Sequence, residues 1–63
     1  MNEEKYLDVK IVEGEGSYAD TANYDVVKLM MKADVVTVRG KSLRVETIEV
    51  NEQGVVTFHG KYL

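Results

Sequence analysis

The chain has 63 residues, with eight Lys+Arg against eleven Asp+Glu, a net charge of −3 and no Cys, Pro or Trp. That length holds one domain, 1–63, and 44% hydrophobic with 30% charged side chains belongs to a folded chain rather than a disordered one. The missing cysteines exclude disulfides, zinc–thiolate sites and thiol nucleophiles together.

The opening Met1-Asn2-Glu3-Glu4-Lys5 is acidic and lacks an apolar core segment, so it does not read as a signal peptide. The longest uninterrupted apolar run is Leu29-Met30-Met31, far short of the ~18 residues of a membrane span. A reducing cytoplasm and no membrane partner are therefore expected. A chain of about 60 residues buries only about 60% of the surface it exposes when unfolded. Without staples, an ideal core or self-association must supply the rest.

In chain order, residues 5–13 read as a first strand, with Leu7, Val9 and Ile11 on one face. Glu13-Gly14-Glu15-Gly16-Ser17 breaks that pattern. A helix over 20–33 follows, with N-cap chemistry from Ser17 with Asp20, or from Thr21 with Tyr24 and Asp25 behind it. Its early Asp20 and Asp25 and late Lys28 and Lys32 suit the helix dipole. Asp34–Arg39 is a second strand and Gly40-Lys41 a tight turn. Leu43–Val50 is a third strand whose alternation slips near Glu46-Thr47, the mark of a β-bulge. Asn51-Glu52-Gln53-Gly54 makes a hairpin loop before a last strand, Val55–Tyr62. The expected fold is α+β, in the order β-α-β-β-β. It has a four-stranded mixed sheet, ending in an antiparallel meander, with one helix packed on one face.

The helix carries two apolar stripes. Ala22, Val26, Leu29, Met30 and Ala33 form the one expected to lie on the sheet. Tyr24, Val27 and Met31 form a second, and together they span roughly 220°, about twice what one sheet covers. Chain ends can fold over the surplus. A homodimer or protein partner that buries Tyr24, Val27 and Met31 is the sharper reading, because Tyr and Met are favoured at interface cores.

Catalytic chemistry finds little support. His59 is the only histidine and sits in a terminal strand, and the hydroxyls of Ser17 and Ser42 have no evident base. The carboxylate pairs Glu3/Glu4, Glu13/Glu15 and Glu46/Glu49 read as solvated surface. Glu13, Glu15 and Asp20 match no EF-hand spacing. Gly14-x-Gly16-Ser17 lacks the third glycine and the lysine of a phosphate loop. A non-catalytic chain with no cofactor and no metal is expected. Charge is uneven: residues 26–45 hold five basic side chains and one acidic, against two basic and seven acidic in residues 1–25. Arg39, Lys41, Arg44 and Lys61 are thus the candidate contacts for nucleic acid or an acidic partner.

The stretches Val36-Thr37-Val38-Arg39-Gly40-Lys41, Val45-Glu46-Thr47-Ile48-Glu49 and Asn51-Glu52-Gln53-Gly54-Val55-Val56 resemble the hairpins of short accessory proteins of bacteria, Gram-positive ones in particular, and their phages. The resemblance implies a non-enzymatic role, binding and inhibiting a host protein as a dimer, and transfers no functional residues. The leading expectation is a homodimeric protein–protein interaction module. The alternative is a small nucleic-acid-binding protein that uses the basic hairpin around residues 39–44.

Overall fold

The computed structural model describes residues 5–63; the acidic Met1–Glu4, with the Glu3/Glu4 pair, lies outside the described residues. The elements are β1 (Tyr6–Glu13), β2 (Gly16–Asn23), α1 (Tyr24–Met30), β3 (Val35–Val38), β4 (Lys41–Val50) and β5 (Val56–Tyr62). The strands form one mixed sheet in the order β2-β1-β5-β4-β3, curled into a nearly closed, barrel-like shape.

The expected four-stranded sheet under a helix is therefore corrected. Gly16–Asn23, read from sequence as a turn and the first turns of a helix, is a strand. It pairs with β1 along its whole length, from Glu13↔Gly16 to Tyr6↔Asn23. Between them Gly14 is left-handed (φ 59°) and Glu15 is not, the pattern of a two-residue type II′ hairpin turn. The strand is hard to read because Asp20 interrupts its inward row: Tyr18, Asp20 and Ala22 lie opposite Ile11, Val9 and Leu7. The parallel partner of β1 is β5, in the register Val9↔Val56 to Val12↔His59. The strand after the helix, expected to hold that place, is instead the four-residue edge β3, paired only with β4.

With β2 built, the helix shrinks to seven residues. Its N-cap is Asn23, whose Oδ1 accepts the Asp25 N–H at 2.8 Å. Its entry is fixed by the Tyr24 N–H, which donates to the Lys5 carbonyl at 2.9 Å. Val27 then points into the core with Val9, Ile11, Val36, Val38, Leu43, Val56 and Phe58. No buried side chain in that core is polar, so hydrophobic burial and close packing supply its stability.

The expected bulge lies where the alternation slips: Val45 faces Gly60 and Thr47 faces His59, leaving Glu46 without a partner. A side chain at Gly60 would collide with the Arg44 carbonyl across the ladder. Glycine is therefore a steric requirement of the bulge. The Asn51–Gly54 loop also forms: Asn51 Oδ1 accepts the Gln53 and Val55 N–H groups, and Gly54 takes the left-handed position (φ 87°).

Strand directions sort the barrel into two ends. The Asn51–Gly54 loop and α1 lie at the starts of β1 and β5, which run parallel. The Gly14-Glu15 turn, the β3–β4 turn and the end of β5 lie at the opposite end.

Candidate functional site

At the helix end, α1 presents apolar side chains to solvent. With 3.6 residues per turn, Val27 and Met30 share the inward face; Val27 is 1% exposed. Tyr24 and Met31 fall on one flank of that face, and Val26 and Leu29 on the other. Tyr24 is 49% exposed, Val26 47%, Leu29 69% and Met31 41%. Of the predicted interface trio, Tyr24 and Met31 are open and Val27 is not, because the exit from β2 turns positions 27 and 30 toward the barrel. Val26 and Leu29, assigned by the sequence pattern to the sheet-packing stripe, take its place at the surface. The ridge between the flanks is polar: Lys28 pairs with Asp25 at 3.6 Å and rests over the Tyr24 ring at 5.1 Å.

At the opposite end the four predicted basic residues fall into two pairs. Arg44 and Lys61 are direct cross-strand neighbours on the outer face. Arg39 lies in the β3–β4 turn and Lys41 directly after it; the turn is Arg39-Gly40 rather than the expected Gly40-Lys41. Both turn residues are left-handed, Arg39 at φ 53° and Gly40 at φ 80°, as a type I′ turn requires. Asn or Gly is at home in the first of those positions; Arg there costs about 1 kcal/mol. The Arg39 guanidinium reaches Asp20 of β2 at 3.9 Å, with both side chains more than half exposed, and such pairs contribute only about 0.2–1 kcal/mol.

Tyrosines organise the rest of this end. The Tyr62 hydroxyl donates to the Gly16 carbonyl at 2.9 Å and lies 3.3 Å from the Ile11 carbonyl. Its N–H donates to Glu13 Oε1 at 2.6 Å. Tyr18 meets Tyr62 edge to face, centroids 5.8 Å apart, and the Lys41 ammonium sits 5.9 Å from the Tyr18 ring centre. Loss of hydration, then the neighbouring Tyr18, holds the Tyr62 phenol above its ordinary 10.0. These groups frame a cavity of about 410 Å³ lined by Tyr18, Gly40, Lys41, Ser42, Tyr62 and Leu63. Sequence reading missed Tyr18 because it lies in the unrecognised strand, whose row of Tyr18, Asp20 and Ala22 is broken by a charge.

Other candidates are placed elsewhere. His59 Nε2 lies 3.1 Å from Glu49 Oε1 on the exposed side of the β4–β5 pair. Glu13 is held by Tyr62 and Asp20 by Arg39 and the Thr21 N–H. Among the described residues no three His, Cys, Asp or Glu side chains converge as metal ligands, and no helix is long and apolar enough to cross a membrane. A second hollow, of about 380 Å³, runs along β1 and β2 past Asp8, Lys10, Ala19 and Thr21. No family model matches the chain, and neither a curated protein nor a solved structure matches it.

Proposed function

We propose that the protein is a non-catalytic interaction module that self-associates through α1. One observation carries this reading: a helix of seven residues and its cap leave Tyr24, Val26, Leu29 and Met31 each at least two-fifths exposed. Singly exposed apolar residues are ordinary, but these four form two apolar flanks on either side of the Asp25–Lys28 ridge, and both flanks gain from cover. Tyr and Met suit that role, one as a rigid amphipathic anchor and the other as an adaptable filler. The Asp25–Lys28 pair on the ridge gives such a contact a polar centre that sets its register. Following the accessory-protein resemblance, the same surface occludes a host protein when that partner replaces the second copy.

Sedimentation velocity over a wide concentration range tests the self-association. The wild type is expected to shift from monomer to dimer, and Leu29→Glu to stay monomeric with an unchanged circular dichroism spectrum. A wild type that stays monomeric throughout would remove the basis for the reading.

A further inference from the structure

We propose a second site at the hairpin end: the Tyr18–Lys41–Tyr62 cavity takes a small anion that carries a flat ring, the chemistry of a mononucleotide. This inference is independent of the helix surface. The cavity, about 410 Å³, falls within the range of small-molecule sites. Its walls are of two kinds, as such a ligand requires. The aromatic wall is pre-set, because the Tyr62 ring is tied by its hydroxyl to the Gly16 carbonyl and Tyr18 is seated edge-on against it. Stacking on a pre-set ring needs no reorganisation.

The cationic wall is Lys41, with Arg39 two residues before it. Among the described residues Lys41 has no carboxylate within 4.0 Å, and its ammonium rests on the Tyr18 ring instead. A phosphate at the mouth of the cavity gives that ammonium its counter-charge without moving it far from the ring. Arg39 occupies a left-handed backbone position that its side chain does not favour, and its one ion pair among the described residues, with Asp20, is long and exposed. The strained turn thus carries, two residues before Lys41 and outside the lining of the cavity, a guanidinium that the fold itself scarcely uses. Asp20, Glu13 and Glu15 are the nearby acids that oppose an anion. Accepting the Tyr62 N–H does not cancel the Glu13 carboxylate; with Glu15 in the adjoining turn it repels an incoming phosphate, which must also compete with Asp20 for Arg39. With the whole chain at −3, attraction is local rather than long-range, and millimolar binding is the expected scale.

Amide and tyrosine-ring NMR titrations with AMP and with inorganic phosphate test this on the whole chain. AMP is expected to shift Gly40, Lys41, Ser42 and the Tyr18 ring saturably. It should bind about tenfold tighter than phosphate, the contribution of one stacked ring. Lys41→Gln should weaken AMP by about tenfold and Arg39→Asn by about threefold. Lys32→Gln, the same charge change beyond the far end of the barrel, should leave binding alone. Absence of saturable shifts overturns the site, as does phosphate binding as tightly as AMP, or Lys32→Gln weakening AMP as much as Lys41→Gln does. A short oligoadenylate distinguishes the source. Binding no tighter than AMP assigns the cavity to a free nucleotide, and tighter binding to one carried on a strand; either outcome upholds the chemistry.

Discussion

The two ends of the barrel are closed by different forces. At the helix end, Val27 seals the core while Met30 and Leu7 pack against it, and the Asn51 turn folds on its own backbone. At the hairpin end, Tyr62 ties β5 to β1 and β2 through its hydroxyl and its N–H, and Arg39 and Lys41 of the β3–β4 hairpin reach Asp20 and Tyr18 of β2. Dispersion and burial are non-directional, so the first end leaves apolar side chains over at its rim. Hydrogen bonds and ring contacts are directional, so the second end holds its aromatic and cationic groups in a set arrangement. A surface for another protein fits the first end, and a shaped pocket fits the second.

The largest effect is expected where one residue serves both ends. Gly60 sits opposite the bulge on β5, the strand that runs between them. Gly60→Ala places a methyl group on the Arg44 carbonyl, and relief requires pulling β4 from β5. A domain of this size holds only about 5 kcal/mol in total, so the variant is expected to lose its cooperative thermal transition in circular dichroism. Survival of one end in that variant, seen as dispersed amide resonances from the helix or from the hairpins alone, would mean that the two ends fold separately.

The helix end is sharpened by comparing two neighbouring positions. Val27→Ala removes methyl groups from a side chain 1% exposed and is expected to cost about 2 kcal/mol in urea unfolding. Leu29→Ala, at 69% exposed, should stay within about 0.5 kcal/mol in dilute solution. The reverse order would restore the sheet-packing stripe that the sequence pattern implied.

That stripe shows where sequence reading stops. The β-meander was legible because β-branched residues run unbroken from Val35 to Val38, and because Asn51 and Gly54 mark the last hairpin through their turn chemistry. The bulge was legible from the slip at Glu46-Thr47. β2 was not. Ala19, Asp20 and Ala22 carry little strand preference, and a charge stands in the inward row, so helix capping was the better local account. Pairing with β1 overrides that preference, and no local pattern announces it. One missed strand then moved everything downstream: the helix lost its first turns, Val27 went inward, and the parallel partner of β1 became β5. The candidate cavity was illegible for the same reason, since Tyr18 and Tyr62 lie 44 positions apart and meet only when β2 and β5 flank β1.

A smaller effect, a modest fall in the urea midpoint, is expected at the hairpin end from Tyr62→Phe, which leaves the Gly16 carbonyl without its donor. The same hydroxyl gives an alkaline signature. Its pKa is raised above 10.0 in the fold by lost hydration, so the native state favours the protonated phenol. That stabilisation is complete below the unfolded value, and it is lost as pH rises through the folded one. In an ultraviolet titration a phase above the ordinary tyrosine value of 10.0 is therefore expected from Tyr62, and it should vanish in Tyr62→Phe. Absence of that late phase would dissolve the distinction between the two ends.

The smallest expected change has the opposite sign. Arg39→Asn puts into the first position of the type I′ turn a residue that accepts φ near 53°. It removes about 1 kcal/mol of backbone strain and gives up a 3.9 Å exposed ion pair that is worth less. The net is a gain of about 0.5 kcal/mol, readable as a small rise in the urea midpoint with an unchanged slope. Most substitutions of a residue that the fold relies on destabilise. A rise would therefore mark Arg39 as a residue held at the hairpin end at some expense to the fold, and a fall would mean that the Asp20 contact closes the seam between β2 and the β3–β4 turn. The outcome decides whether the cationic rim of the cavity is an ornament of the barrel's closure or is presented to a ligand in spite of it.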